Sequence, residues 1–98
     1  MSKFGALIDQ EIPVLLDFYT EMSQQTRAMN ATLRDVAVAL GDRAKVIKID
    51  IDKNQELAEA LRIKSAPTLM IYKNGEMKWR QSGVQDVNSI ISAIEAHI

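Results

Sequence analysis

An aspartate inside an apolar run, with two hydroxyl residues close behind it, is the arrangement in this chain best suited to chemistry. Asp17 interrupts Val14-Leu15-Leu16-Asp17-Phe18-Tyr19, and Ser23 and Thr26 follow across a short turn. A carboxylate on a buried strand is unfavourable unless it has a partner or keeps its proton, so Asp17 is expected to have a pKa raised by desolvation. A strand that turns directly into a helix also aims free N–H groups and a positive dipole end at the junction. A nucleophile or an anion site would be built there. Ser23 reads as the N-cap of the helix and not as a serine nucleophile. The one histidine, His97, is a tail residue at the other end of the sequence, and no glycine-rich elbow surrounds the serine. Cysteine is absent, which excludes disulfides, thiolate nucleophiles and cysteine-held metal or iron–sulfur centres.

The elements that must position these residues follow from periodicity. Phe4, Leu7, Ile8 and Ile12 fall at helical spacing, predicting a short helix from Ser2 to Glu11 that ends before Pro13. Val14–Tyr19 suits a central strand covered on both faces. Met29, Leu33, Val36 and Leu40 form one stripe on a helix that starts at Ser23 or Gln24 and stops at Gly41. Lys45–Ile51 alternates and reads as a strand. Asp52 is expected to open the next helix, with Gln55 as capping-box partner and Leu57 and Leu61 facing inward. Thr68–Tyr72 and Met77–Ser82 flank Asn74-Gly75, the turn pair of a β-hairpin, and Val87, Ile90, Ile91, Ile94 and Ile98 make a last helical stripe. Trp79 and Tyr72 read as packing residues, and Met29 and Met70 as core.

With 98 residues, 47% of them hydrophobic, the chain is expected to form one domain, 1–98, with an ordinary core. Twelve basic against thirteen acidic side chains leave no footprint for nucleic acid or an anionic membrane. The N-terminal stretch lacks a signal-peptide core, no run reaches the length of a membrane span, and the expected compartment is the cytoplasm. No cofactor or metal is expected.

Strand, aspartate, aromatic pair, turn and helix, followed by Ala66-Pro67-Thr68, resemble the active-site segment and proline loop of the thioredoxin family. The family carries Trp-Cys-Gly-Pro-Cys where this chain has Met22-Ser23-Gln24-Gln25-Thr26. The resemblance covers nearly the whole chain. It implies a thioredoxin-like α/β fold in the order αβαβαββα, a four-stranded mixed sheet flanked by helices, with the strand that usually precedes the first helix missing. It also implies a cis peptide before Pro67, and a straighter central helix, because Ala31 stands where the family often has a kinking proline. Asp17 matches the family's buried acid and Lys48 its lysine partner. Without thiols to serve, the two survive as a structural charge pair or around a buried water.

Hydroxyls at positions 23 and 26 cannot cycle between dithiol and disulfide. The resemblance therefore points to a redox-inactive protein-binding module of the adaptor or co-chaperone type. Its polypeptide partner would be gripped at Met22, Gln24, Gln25, Ala66, Pro67 and Gly83, positions that match those ringing the cysteines in the family. Main-chain pairing beside a cis proline needs shape and backbone, not sulfur. The alternative is a thiol–disulfide oxidoreductase whose cysteines have been replaced in this chain. A third reading is a purely structural domain, or a fold reused for a small ligand or for self-association, and the oligomeric expectation is a monomer or a weak homodimer.

Overall fold

In the computed structural model, which describes residues 3–98, the elements come in the order helix α1 (Lys3–Ile8), strand β1 (Val14–Tyr19), helix α2 (Gln24–Leu40), a 3-10 turn (Gly41–Arg43), strand β2 (Lys45–Asp50), helix α3 (Gln55–Ala60), strands β3 (Thr68–Lys73) and β4 (Glu76–Ser82), and helix α4 (Val87–Glu95). This is the expected succession. Ser2, the expected start of the first helix, lies outside the described residues. The helix ends at Ile8, so Ile12 belongs to the connection into β1 and not to α1.

The four strands are ordered β2-β1-β3-β4. β1 runs parallel to β2 and antiparallel to β3, and β4 completes the antiparallel hairpin. β1 is central because its residues bury on both faces: Val14, Leu15, Leu16, Asp17 and Phe18 are all 0% exposed. Leu15 faces a cluster with Met29, Leu33, Val36 and Leu40 of α2 and Ile90 and Ile94 of α4. Leu16 and Phe18 face a second cluster with Ile8, Met70 and Tyr72, closed by Phe4, Leu7 and Leu57. The sheet is thus sandwiched between α2 and α4 on one side and α1 and α3 on the other. Truncating the fully buried Phe18 to alanine is expected to cost about 4 kcal/mol.

Local chemistry explains the element ends. Ser23 sits in extended conformation and its Oγ accepts from the Gln25 N–H at 3.1 Å, which caps α2. α2 then runs for 17 unbroken residues, through Ala31. The hairpin turn has Asn74 at φ 53° and Gly75 at φ 80°, the pair of left-handed conformations that lets a two-residue loop match the strand twist. Its tip is also clamped: the Asn74 N–H donates to Gln10 O at 2.7 Å and the Gly75 N–H to Ile8 O at 3.0 Å.

Two expectations are corrected. α3 begins at Gln55, after Asn54, and not at Asp52. Asp50 Oδ1 accepts from the Asp52 N–H at 2.8 Å, folding residues 50–52 into a turn, and the Asp52 carboxylate accepts from Thr20 Oγ1 at 2.6 Å, so it caps no helix. Ile98 lies beyond α4 and is 54% exposed; the buried stripe ends at Ile94.

Candidate functional site

The C-terminal end of β1 is where the candidate residues converge. Phe18 pairs with Thr68, the first residue of β3, so Pro67 lies alongside the last residues of β1. Thr68 pairs with Ser82, and the Gly83 N–H donates to Pro67 O at 2.8 Å. The turn after Tyr19, the Ala66-Pro67 loop and Gly83 therefore share one end of the sheet. The Ala66–Pro67 peptide is cis. Gly83 adopts φ 89°, while a Cβ there would meet no atom within 4 Å, so the backbone conformation and not crowding calls for glycine.

Both hydroxyls are engaged in structure. Ser23 Oγ caps α2, and Thr26, only 5% exposed, donates from Oγ1 to Thr20 O at 2.7 Å. Among the described residues no histidine, carboxylate or amine is hydrogen-bonded to either of them. The carbonyl of His97 accepts from Lys73 Nζ at 2.8 Å, and Lys73 ends β3 about 16 Å along the strand from Thr68. The histidine belongs to the opposite end of the sheet.

Asp17 lies on the α2 side of β1, the face that also carries Leu15. Neither carboxylate oxygen has a hydrogen-bond partner among the described residues. Burial pushes its pKa from 3.8 up to about 6, opposed in part by the positive charge of Lys48. Lys48 is Asp17's register partner across the parallel pair, but the expected charge pair does not form. The Lys48 ammonium instead donates to Asn30 Oδ1 and lies 4.6 Å from the centre of the Tyr19 ring. The long lysine stem carries the charge out past the strand edge to a neutral amide and an aromatic face, where its hydration survives.

Around this end the expected binding residues differ in what they offer. Met22 is 92% exposed, Gln24 and Gln25 are exposed, and Ala66 and Gly83 are half-buried. Pro67 is buried, so it shapes the loop without offering contact surface. Three contributors were not read from the sequence. Thr20 joins the site through its carbonyl and its hydroxyl, Asn30 takes the lysine, and Arg80 donates to Leu61 O at 2.6 Å and Arg62 O at 3.0 Å, holding the chain that leads to Ala66. Only Asn30 left a signal, since it stands four residues after Thr26 on the flank of the buried helical stripe.

The fold, the buried acid at the end of a central strand and the cis-proline loop beside a helix N-terminus define a thioredoxin-type scaffold. The Thioredoxin family model matches residues 1–96, and the chain belongs to that family. A thioredoxin of Rickettsia bellii is 34% identical over 92 residues, covering 94% of this chain and 88% of the relative. Among solved structures, a mutant thioredoxin from Halobacterium salinarum superposes with a TM-score of 0.85 at 28% identity, covering 99% of this chain and 84% of that one. Malaria parasite thioredoxin-2 gives 0.84 at 28% identity over 88% and 84%. Where the family carries its two cysteines, this chain has Ser23 and Thr26.

Proposed function

We propose that this chain is a redox-inactive thioredoxin-family module that binds another polypeptide through the face formed by Met22, Gln24, Gln25, Ala66 and Gly83. The observation that carries the reading is Met22. It is a large apolar side chain 92% exposed at the tip of a turn whose hydroxyls are already committed to hydrogen bonds. An unpartnered apolar group beside a shaped loop is what a contact surface leaves in the free protein. Methionine is also the side chain most able to adapt to a partner. With no sulfur at positions 23 and 26 the chain has no thiolate to attack a disulfide. The role is that of an adaptor or co-chaperone in the cytoplasm. The malaria parasite neighbour is described as a component of protein secretion machinery, which lends support to a thioredoxin scaffold working inside a protein assembly.

The test is affinity capture from the source organism's lysate with the chain as given and with its Met22→Asp/Ala66→Arg variant. Partners identified by mass spectrometry are expected on the first and lost from the second. An identical catch on both refutes the assignment to this face. The rival, an oxidoreductase whose cysteines have been replaced, is decided by sequencing codons 23 and 26 of the source gene: cysteine codons there would establish it.

A further inference from the structure

Sulfur in this chain is held entirely as thioether, in five methionines and no cysteine. Peroxides react first with thiolates, and where a chain has none the next side chain to take up an oxygen atom is an accessible methionine. Met1 lies outside the described residues, and the other four are placed very differently. Met29 and Met70 are 0% exposed, one in each core cluster, and the Met70 sulfur also accepts from the Tyr72 hydroxyl at 3.9 Å. Met77 is 44% exposed and lies beside Tyr72, its register partner on β3. Met22, at 92%, is open almost all round.

The exposure of Met22 is built into the turn that carries it. Its own N–H donates to Thr20 Oγ1 at 3.4 Å and the Ser23 N–H to Thr20 O at 3.3 Å, while the same carbonyl accepts from Thr26 Oγ1 at 2.7 Å. Thr20 is tied in turn to Asp52 through its hydroxyl, at 2.6 Å. These bonds fix the backbone on both sides of Met22 and none of them uses its side chain. A change at the sulfur therefore leaves the turn and the cap of α2 intact.

We propose that Met22 is a reversible modification site, its thioether taking one oxygen atom from a peroxide and yielding it to a dithiol-dependent sulfoxide reductase. In the forward step a sulfur lone pair attacks the peroxide, the S–O bond forms as the O–O bond breaks, and the second oxygen leaves as water or an alcohol. Sulfur loses two electrons and the peroxide gains them. In the return step two thiols of the reductase become a disulfide and the oxygen leaves as water. This chain has no thiol with which to repair itself. The sulfoxide is polar where the thioether was apolar, so oxidation removes the apolar contact from the face on which Met22 stands. That consequence rests on the polypeptide-binding reading of the face, whereas the modification rests on exposure and sulfur chemistry.

The folded chain, treated with graded hydrogen peroxide, digested and read by mass spectrometry, is expected to gain one oxygen at Met22 at least about tenfold faster than at Met77, with Met29 and Met70 unmodified. The two epimer-specific sulfoxide reductases together with dithiothreitol are expected to restore the original mass. In source cells the Met22 peptide is expected to carry the oxygen after a peroxide pulse and to lose it during recovery. Oxidation of Met77, Met29 or Met70 as fast as Met22, a sulfoxide that the reductases leave in place, or none at Met22 in pulsed cells overturns the proposal. For the consequence, polypeptides captured from the source organism's lysate are the probe. Pre-oxidised chain is expected to retain about tenfold less of them than untreated chain, the worth of one lost apolar contact, and to recover after reductase treatment. Met77→Leu is expected to respond to peroxide as the parent does, and Met22→Leu, which lacks the sulfur, to capture the same amount with and without peroxide. A peroxide-dependent loss in Met22→Leu as large as the parent's, or no loss in the parent, refutes oxidation as a control of binding. A catch that Met22→Asp/Ala66→Arg retains in full refutes the binding face instead, and the mass shift still decides the site of oxidation.

Discussion

Replacing Asp17 by asparagine is expected to stabilise the protein at neutral pH and to do nothing in acid. The native carboxyl is fully buried, without a hydrogen-bond partner among the described residues, and its pKa stands at about 6 against 3.8 in the unfolded chain. Below pH 3.8 it is protonated in both states and carries no penalty. As pH rises through 3.8 the unfolded chain ionises first while the native state holds its proton, so the native state binds more protons and stability falls. The loss is complete above about 6, where a displacement of that size amounts to about 3 kcal/mol. Asparagine is nearly isosteric with the neutral acid and does not titrate, so the variant lacks the whole step. Urea unfolding followed through Trp79, the single tryptophan, packed against the α2–α4 core, reads the difference. At pH 7.5 the variant's midpoint is expected about 2 M above the parent's, for a slope of about 1.5 kcal/mol/M. At pH 3.5 the two curves are expected to coincide. Equal midpoints at pH 7.5, or the same gain at both pH values, would refute the account of Asp17 as an unpaired buried acid.

The cap of α2 gives a second expectation: Ser23→Ala, which leaves the Gln25 N–H without its acceptor, is expected to lower stability by about 1 kcal/mol in the same urea assay. A third concerns the end of α3. The Ile63 N–H donates to Ala58 O and the Arg62 N–H to Glu59 O, each at 3.0 Å, closing the helix with Arg62 at φ 55°. Arg62→Gly relieves that left-handed residue while the carbonyl held by Arg80 stays in place, so thermal unfolding is expected to show a gain of about 0.5–1 kcal/mol.

Features governed by neighbours in sequence were legible from it. The β1 run, the stripe Met29-Leu33-Val36-Leu40, the Ser23 cap and the Asn74-Gly75 turn are each decided by a few consecutive residues. The burial of Asp17 was also legible, because an acid inside an apolar run has nowhere else to go. What failed depended on side chains reaching across the fold. The family resemblance makes Lys48 the partner of Asp17, and the register agrees, yet a flexible four-carbon stem lets its charge leave the strand for Asn30 and Tyr19. Asp52 has the form of a helix cap, but Thr20, 32 residues away, claims its carboxylate. Pro67 carries the family's signature, yet its burial follows from Gly83 and the strand pairing around it.

The clamp on the hairpin tip bears on the order in which the protein assembles. α1 has six residues, too few to hold a helix in water on its own. The carbonyl of Ile8, its last residue, is held by the Gly75 amide and that of Gln10, just past its end, by the Asn74 amide, more than sixty residues further along, and Phe4 docks edge-on against Tyr72 with ring centres 5.6 Å apart. The first helix of the chain is therefore expected to form late, after the hairpin made from the chain's final third. Opening of that hairpin tip in the native state would release α1 with it. Hydrogen exchange at the Asn74 and Gly75 amides thus times the departure of a helix at the other end of the sequence.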